Sequence, residues 1–399
     1  MKQILFIILF TLAPMLTERG LQIGEIAINN KIIKIMKMDY HNPAWLQDAG
    51  NRSTLFYIQS EEDNNEITFN GYRMGEQAEK IQYKTYKMGN WQQLTEETII
   101  LLHMGEKVYF RNYTNQDLCV GSTYKLFGTS STYSIGGDIT ALFYPSTMLP
   151  EQAFRSAFRN DNNIKDASRL ICSKTLSRSC YSEMFYGCTS LTQAPELPAT
   201  ELGFSCYSWM FRGCTSLTQA PELPATELAP SCYYLMFYGC TSLTQAPELP
   251  ATELAPKCYY EMFYGCTSLT QAPELPATKL EEECYCRMLM ICTSLTQAPE
   301  LPATELAPSC YSEMFYNCPS LTQAPELPAT ELVEGCYHKM FYACKSLELI
   351  ICHAISVPSG CTSNWSSGVS ATGTFKKMES AIWSIGSSGI PTGWTAVNL

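Results

Sequence analysis

The chain has 399 residues, enough for two or three domains. A hydrophobic fraction of 46% with 12% aromatic residues excludes a disordered chain. The formal charge of −11 is unevenly placed: Cys180 to Cys344 holds 18 Glu, no Asp and 5 Lys or Arg, a local −13, so nucleic-acid phosphate is not an expected partner.

Taken in order, Met1-Lys2 precedes the apolar run Ile4–Leu12, which ends at Ala13-Pro14. A charged start followed by a short apolar core has the form of a secretory signal peptide, placed at residues 1–20. The run is too short to span a bilayer comfortably, so no stable membrane span is expected. Residues 21–150 read as an N-terminal β-sandwich-like domain. Ile67–Asn70, Lys80–Tyr86 and Lys107–Arg111 carry alternating β-branched and aromatic residues. Met88-Gly-Asn90 is predicted to be a hairpin turn, and Gly136-Gly137 a second turn before a strand from Ile139. The isolated His41 and His103 are read as structural.

The rest of the chain is organised by one stretch, Ser190-Leu-Thr-Gln-Ala-Pro-Glu-Leu-Pro-Ala-Thr200. It returns unchanged from Ser216, Ser242, Ser268, Ser294 and Ser320 at a strict 26-residue spacing. Such a period is the signature of a solenoid, whose units bury their apolar face only when stacked. The solenoid is assigned to residues 151–361. Residues 151–179 form a degenerate capping repeat in which Ala157-Phe158 takes the Met-Phe place and Asp161 that of a Cys. Residues 362–399, rich in Ser, Gly, Thr and Trp, are expected to form a C-terminal β-hairpin cap.

Within a coil, Leu191–Ala194 is predicted to be a short parallel strand that Pro195 and Pro198 must end. Cys206, Met210, Phe211 and Cys214 stand at i, i+4, i+5 and i+8, the spacing of one face of a short helical segment. The predicted fold class is therefore mainly β with short helical segments. Fourteen of the 19 Cys fall in two columns, 180/188 through 336/344. Buried free thiols explain them better than disulfides, since an unpaired Cys behaves as a small hydrophobe. The residues between Cys and Met that vary from copy to copy are expected to face solvent.

The polar residues of the strand side barely vary. They form a candidate binding face of three columns: Thr192, Thr218, Thr244, Thr270, Thr296 and Thr322; Gln193, Gln219, Gln245, Gln271, Gln297 and Gln323; Glu196, Glu222, Glu248, Glu274, Glu300 and Glu326. Recent duplication of the unit would give the same uniformity without function. A second carboxylate column, Glu201, Glu227, Glu253, Glu305 and Glu331, is interrupted by Lys279. Calcium takes carboxylate oxygens, but a single-file exposed ladder reads more simply as solvated.

The phrases Met-Phe-Tyr-Gly-Cys-Thr-Ser-Leu-Thr (184–192 and 236–244) and Ala-Pro-Glu-Leu-Pro-Ala-Thr resemble BspA-like, Treponema-type leucine-rich repeats of surface proteins from anaerobic gut and oral bacteria. The segments 368–375 and 389–395 are similar to the tails of such proteins. The resemblance implies a leucine-rich-repeat solenoid. It also implies a non-enzymatic surface or secreted adhesion protein contacting a protein or glycan on another cell surface. The 26-residue period and the proline-rich strand end depart from the usual repeat. A competing reading is a hydrolase or other enzyme with its site in residues 21–150 and the solenoid as a stalk.

Little points to chemistry. Cys284, Cys286 and Cys292 cluster, but two of them are repeat positions and zinc wants four ligands. His338 and His353 lie near Cys336, Cys344, Cys352 and Cys361 in sequence, without an orienting group or oxyanion donors. No phosphate loop, nucleotide fingerprint or hydrolase elbow occurs, so no cofactor and no metal are expected.

Overall fold

The computed structural model describes residues 23–28, 31–36, 55–69, 80–95, 97–113, 127–142 and 149–399. The segment Met1–Ala13, His41 and Cys119 lie outside them. The chain divides into two compact units, Met1–Thr54 and Leu55–Leu399. In the first, β1 (Ile23–Ile28) and β2 (Lys31–Met36) pair as an antiparallel hairpin.

The second unit opens with two sheets. One contains β3 (Phe56–Ser60), β5 (Ile81–Thr85), β6 (Gln92–Gln93), β8 (Lys107–Asn112), β10 (Tyr133–Asp138) and β11 (Ile164–Ile171), in the order β11-β10-β3-β8-β5-β6. The other has the order β7-β4-β9, from β4 (Asn65–Phe69), β7 (Ile99–Leu102) and β9 (Phe127–Thr129). Phe56 and Phe110 of the first sheet pack on Phe127 of the second, with centroids 5.7 and 4.9 Å away. The hairpin predicted at Met88–Asn90 joins β5 to β6.

Gly136 and Gly137 are not a turn. They lie inside β10, and a 3-10 turn, Ile139–Leu142, follows where a strand was expected. Gly136 pairs with Tyr57, and a side chain at either glycine would collide with β3. Close approach rather than chain reversal therefore explains the pair.

β10 runs parallel to β11, the strand of the first coil, so sheet pairing crosses residue 150. Asp161, in a Cys position of that coil, is fully buried and accepts a hydrogen bond from the Tyr133 hydroxyl at 2.7 Å. Asp166 then forms a parallel bridge with Gln193, and the 26-residue coils follow in register.

The segment Cys206–Cys214 is not helical. Ser205, Trp209 and Gly213 have φ of 52°, 60° and 74°, and the same four-residue alternation recurs in every later coil. The chain makes tandem turns. The N–H groups of Ser208, Met210, Arg212 and Cys214 donate three residues back within the coil. Those of Tyr207, Trp209, Phe211 and Gly213 donate to the next coil, to Cys232, Tyr234, Met236 and Tyr238 at 2.8–2.9 Å. Every N–H is thus satisfied without a helix. The offsets i, i+4, i+5 and i+8 are buried as expected, but their period is four rather than 3.6.

Inside this ribbon the aromatic side chains stack coil on coil. Tyr181 through Tyr337 form one column, neighbouring centroids 5.7–6.1 Å apart. Phe185, Phe211, Phe237 and Phe263 form another at 5.5–5.6 Å. The 18 described cysteines are buried thiols outside any disulfide. Burial pushes the Cys240, Cys292 and Cys344 thiols up to about 12. The second Cys column also has a partner. Cys214 Sγ donates to the Phe185 carbonyl at 3.1 Å, and Cys240 and Cys266 repeat the contact at 3.1 and 3.2 Å.

The opposite side is paired sparsely. In place of a strand over Leu191–Ala194, single parallel bridges occur at Gln193, Gln219↔Gln245 and Gln271↔Gln297. A continuous ladder appears at the C-terminal end, where the last proline-containing copy meets coils that lack the pair. β12 (Gln323–Leu327), β13 (Leu349–Cys352), β14 (Thr374–Lys377) and β15 (Thr395–Asn398) pair in parallel, in that order. β14 and β15 are therefore not a hairpin; they continue the solenoid sheet beyond residue 361.

Candidate binding face

The face follows from what proline does to an extended segment. Pro195 and Pro198 fix φ and carry no N–H, so the chain between them stays extended but contributes little to a ladder; only the last copy, in β12, pairs continuously. Side chains then alternate: Leu191, Leu197 and Ala199 are buried, while Gln193 and Glu196 point to water. All 18 residues of the three columns are exposed except Thr192, which is half-buried. The structure thus brings the Thr, Gln and Glu columns onto one continuous face. Glu201, Glu227, Glu253, Glu305 and Glu331 are exposed too.

Beyond the bridges at the Gln positions, no backbone–backbone hydrogen bond joins residues 221–224, 247–250, 273–276 or 299–302 to another coil. The amides and carbonyls of these Pro-Glu-Leu-Pro steps are free to meet water or a ligand. A shallow concavity of ≈ 530 Å³ lies between two such steps, lined by Gln271, Glu274, Pro276, Gln297, Glu300 and Pro302. Thr192 and Thr244 hydroxyls donate to the carbonyls of Lys165 and Thr218, at 3.0 and 3.2 Å, which holds these rotamers. His353 Nε2 sits 2.6 Å from Glu326 Oε1 and closes the Glu column at its last member.

Elsewhere the chemistry considered from sequence is not assembled. His338 lies 3.9 Å from Glu313 and lines a concavity with Cys361, His353 pairs with Glu326, and Cys336, Cys344 and Cys352 turn into the core. Among the described residues no group of three or more His, Cys, Asp or Glu could hold a metal ion. His103 Nδ1 is 3.6 Å from Asp63 on the surface.

The variable residues of the ribbon are not simply solvent-facing. Ser208, Leu235, Cys286 and Glu313 are buried, and Trp209, Tyr234, Tyr260 and Arg287 half-buried; Trp209 and Tyr260 both stack on Tyr234, at 6.4 and 5.0 Å. Arg287 donates to the Tyr260 hydroxyl at 3.0 Å and pairs with Glu261 and Glu313 at 3.1 and 3.3 Å. A second column on the same side, Tyr186, Arg212, Tyr238 and Tyr264, received no functional reading from the sequence. Its signal was the residue two places before the second Cys, which changes type while its neighbours are copied.

No family model matches the sequence, and no curated protein matches it. Among solved structures the chain is similar to the crystal structure of a TLR13–ssRNA13 complex, at 15% identity and a TM-score of 0.27. The match covers 56% of this chain and 31% of that one, so the chain spans less than a third of that protein's length. The repeat fold rests on the coil-to-coil geometry itself.

Proposed function

We propose that the chain is a non-enzymatic binding protein of the BspA-like leucine-rich-repeat kind, exported to the cell surface or the medium. In this reading residues 151–361 carry the binding surface, residues 21–150 and 362–399 flank it, and residues 1–20 serve export. The partner is a protein or glycan that runs along the Thr, Gln and Glu columns. The observation behind this is an exposed polar face repeated coil after coil, beside backbone groups that no neighbouring coil uses. Thr and Gln both donate and accept, and a solenoid presents them at regular intervals, as a long or repetitive partner needs. The carboxylate column favours basic groups, and that attraction should weaken in salt.

Each contact is weak alone, so affinity should depend on the number of coils. The experiment is a glycan and host-protein binding array with the full chain, followed by deletion of residues 232–283. That deletion removes two units and keeps the 26-residue phase. Affinity should fall with the deletion. A partner bound as tightly afterwards, but lost on mutation within 21–150, would make the solenoid a stalk.

A further inference from the structure

The ribbon side carries a surface separate from the face just described. At its centre is Arg212. Its guanidinium lies 4.5 Å from the ring centroid of Tyr238, 5.3 Å from Trp209 and 5.4 Å from Tyr186. Arg159, from the coil before, covers Tyr186 at 4.2 Å. Tyr234 adjoins Trp209, with centroids 6.4 Å apart. Tyr186, Trp209, Arg212, Tyr234 and Tyr238 are all half-buried, so they are ordered by packing and still reach the surface.

Arg212 differs from the other arginines of this side. Arg155 and Arg159 both pair with Glu183, and Arg287 pairs with Glu261 and Glu313. Among the described residues no carboxylate lies within ion-pair distance of Arg212. Where Arg287 finds Glu in the flanking coils, Arg212 finds aromatic rings. The indole N–H of Trp209 is buried and also lacks an acceptor. Of the five cations between Cys180 and Cys344, Lys257 and Arg287 have carboxylate partners, whereas Arg212, Lys279 and Lys339 have none within ion-pair distance among the described residues; Arg212 is the one of these three that is framed by rings.

The composition fits one kind of partner. Trp, Tyr and Arg are the residue types that dominate energetic hot spots of protein interfaces, and this patch consists of them. The ring faces are already covered by guanidinium groups or by one another, for example Tyr238 on Tyr264 at 4.4 Å. A sugar would need a free ring face to stack on. What remains presented is ring edges, hydroxyls and the planar N–H fork of Arg212, which matches a carboxylate bidentately. We propose that Arg212 and its aromatic frame form a protein-docking site on the ribbon side, which takes an acidic peptide segment and seats a Glu or Asp carboxylate on Arg212. The site stands or falls independently of the polar columns, which lie on the other side of the coil.

The test uses the full chain and fluorescence anisotropy of dye-labelled poly-L-glutamate at about 0.15 M salt, which screens the chain's own negative charge, with polygalacturonate as a second probe. Poly-L-glutamate should bind the unmodified chain. Arg212→Gln should weaken it by about tenfold or more, and Arg212→Lys by less, because the charge stays but the fork is lost. Lys174→Gln, which removes an exposed cation outside the cluster, should leave binding unchanged. Thermal unfolding checks that each variant folds, and if Arg212→Gln does not, Arg212→Lys decides. No binding of poly-L-glutamate, equal binding by the unmodified chain and the variants, or tighter binding of polygalacturonate would overturn the proposal.

Discussion

The two sides of each coil solve the stacking problem differently. On the ribbon side, alternate N–H groups of Cys206–Cys214 reach the next coil, and rings and thiols stack beneath them. On the proline side, residues 221–224, 247–250, 273–276 and 299–302 make no backbone bond to a neighbouring coil, and only the last copy, in β12, joins a ladder. Cohesion of the solenoid therefore sits in the turns, where a sequence reader expects it least. The proline side is released from structural duty and can keep its polar groups for solvent or a ligand. Divergence follows the opposite pattern. The proline side is copied residue for residue, while Tyr234, Arg212 and Arg287 mark individual coils on the ribbon.

If the ribbon is what holds the coils, raising the pH should break the molecule from that side. Burial lifts the thiols of both columns from an ordinary 9.0; Cys240, Cys258 and Cys344 reach about 12. Burial likewise lifts the Tyr207 and Tyr259 hydroxyls well above 10. These groups stay neutral in the fold and ionise once the chain unfolds. Their contribution is complete below the unfolded pKa and is lost as pH rises towards the folded one. Each thiol then costs about 1.4 kcal/mol per pH unit, and a few together exceed a usual stability of about 5–15 kcal/mol. Denaturant midpoints, measured under reductant, should hold up to about pH 8.5 and collapse between about 9 and 11. A flat profile through about pH 10.5 would mean that the columns are wet.

A paired substitution sharpens the contrast within one coil. Phe237 is fully buried, with rings 5.5 and 5.6 Å away on either side. Phe237→Ala should cost about 3–5 kcal/mol, as lost contacts plus a cavity. Gln245, on the proline side of the following stretch, is exposed, and Gln245→Ala should change stability by less than about 0.5 kcal/mol. Chemical denaturation of both variants checks this. Comparable losses would show that the proline side also carries the fold.

How much of this was legible follows from which signals are local. The period, the inward set of Leu191, Ala194, Leu197, Leu202, Cys206, Met210, Phe211 and Cys214, and the exposed Gln and Glu columns all follow from apolar spacing; of the inward set all are buried except Ala194 and Leu202, which are half-buried. A four-residue turn period and a 3.6-residue helix differ by less than one residue over eight positions, so the apolar spacing fits both. Gly213 was a clue to left-handed backbone, but Trp209 and Leu235 in the same conformation have no sequence signal. The C-terminal strands were misread as a hairpin because turn residues separate β14 from β15. Parallel pairing depends on the coil beneath, which no local pattern encodes. Arg212 escaped notice because its significance is an absent carboxylate, and only the fold shows what surrounds a side chain.

The smallest effect probes what the tandem turns cost. Ser231 opens the ribbon of its coil at φ 55° and is half-buried. An L-residue there holds Cβ close to the following carbonyl, at a cost of roughly 1 kcal/mol. Glycine has no Cβ, but it loses more entropy on folding, which takes back part of the gain. The later coils already use it: Gly335 and Gly360 occupy the corresponding position with φ of 63° and 92°. Ser231→Gly should therefore stabilise the chain by about 0.5 kcal/mol, read as a small rise in denaturant midpoint at unchanged slope. The same change at Ser242, which opens the proline-side stretch without positive φ, should cost stability by a similar amount. If both serines respond alike, left-handed backbone is not what sets the ribbon apart. If they diverge in sign, the turn geometry has been read directly from energetics.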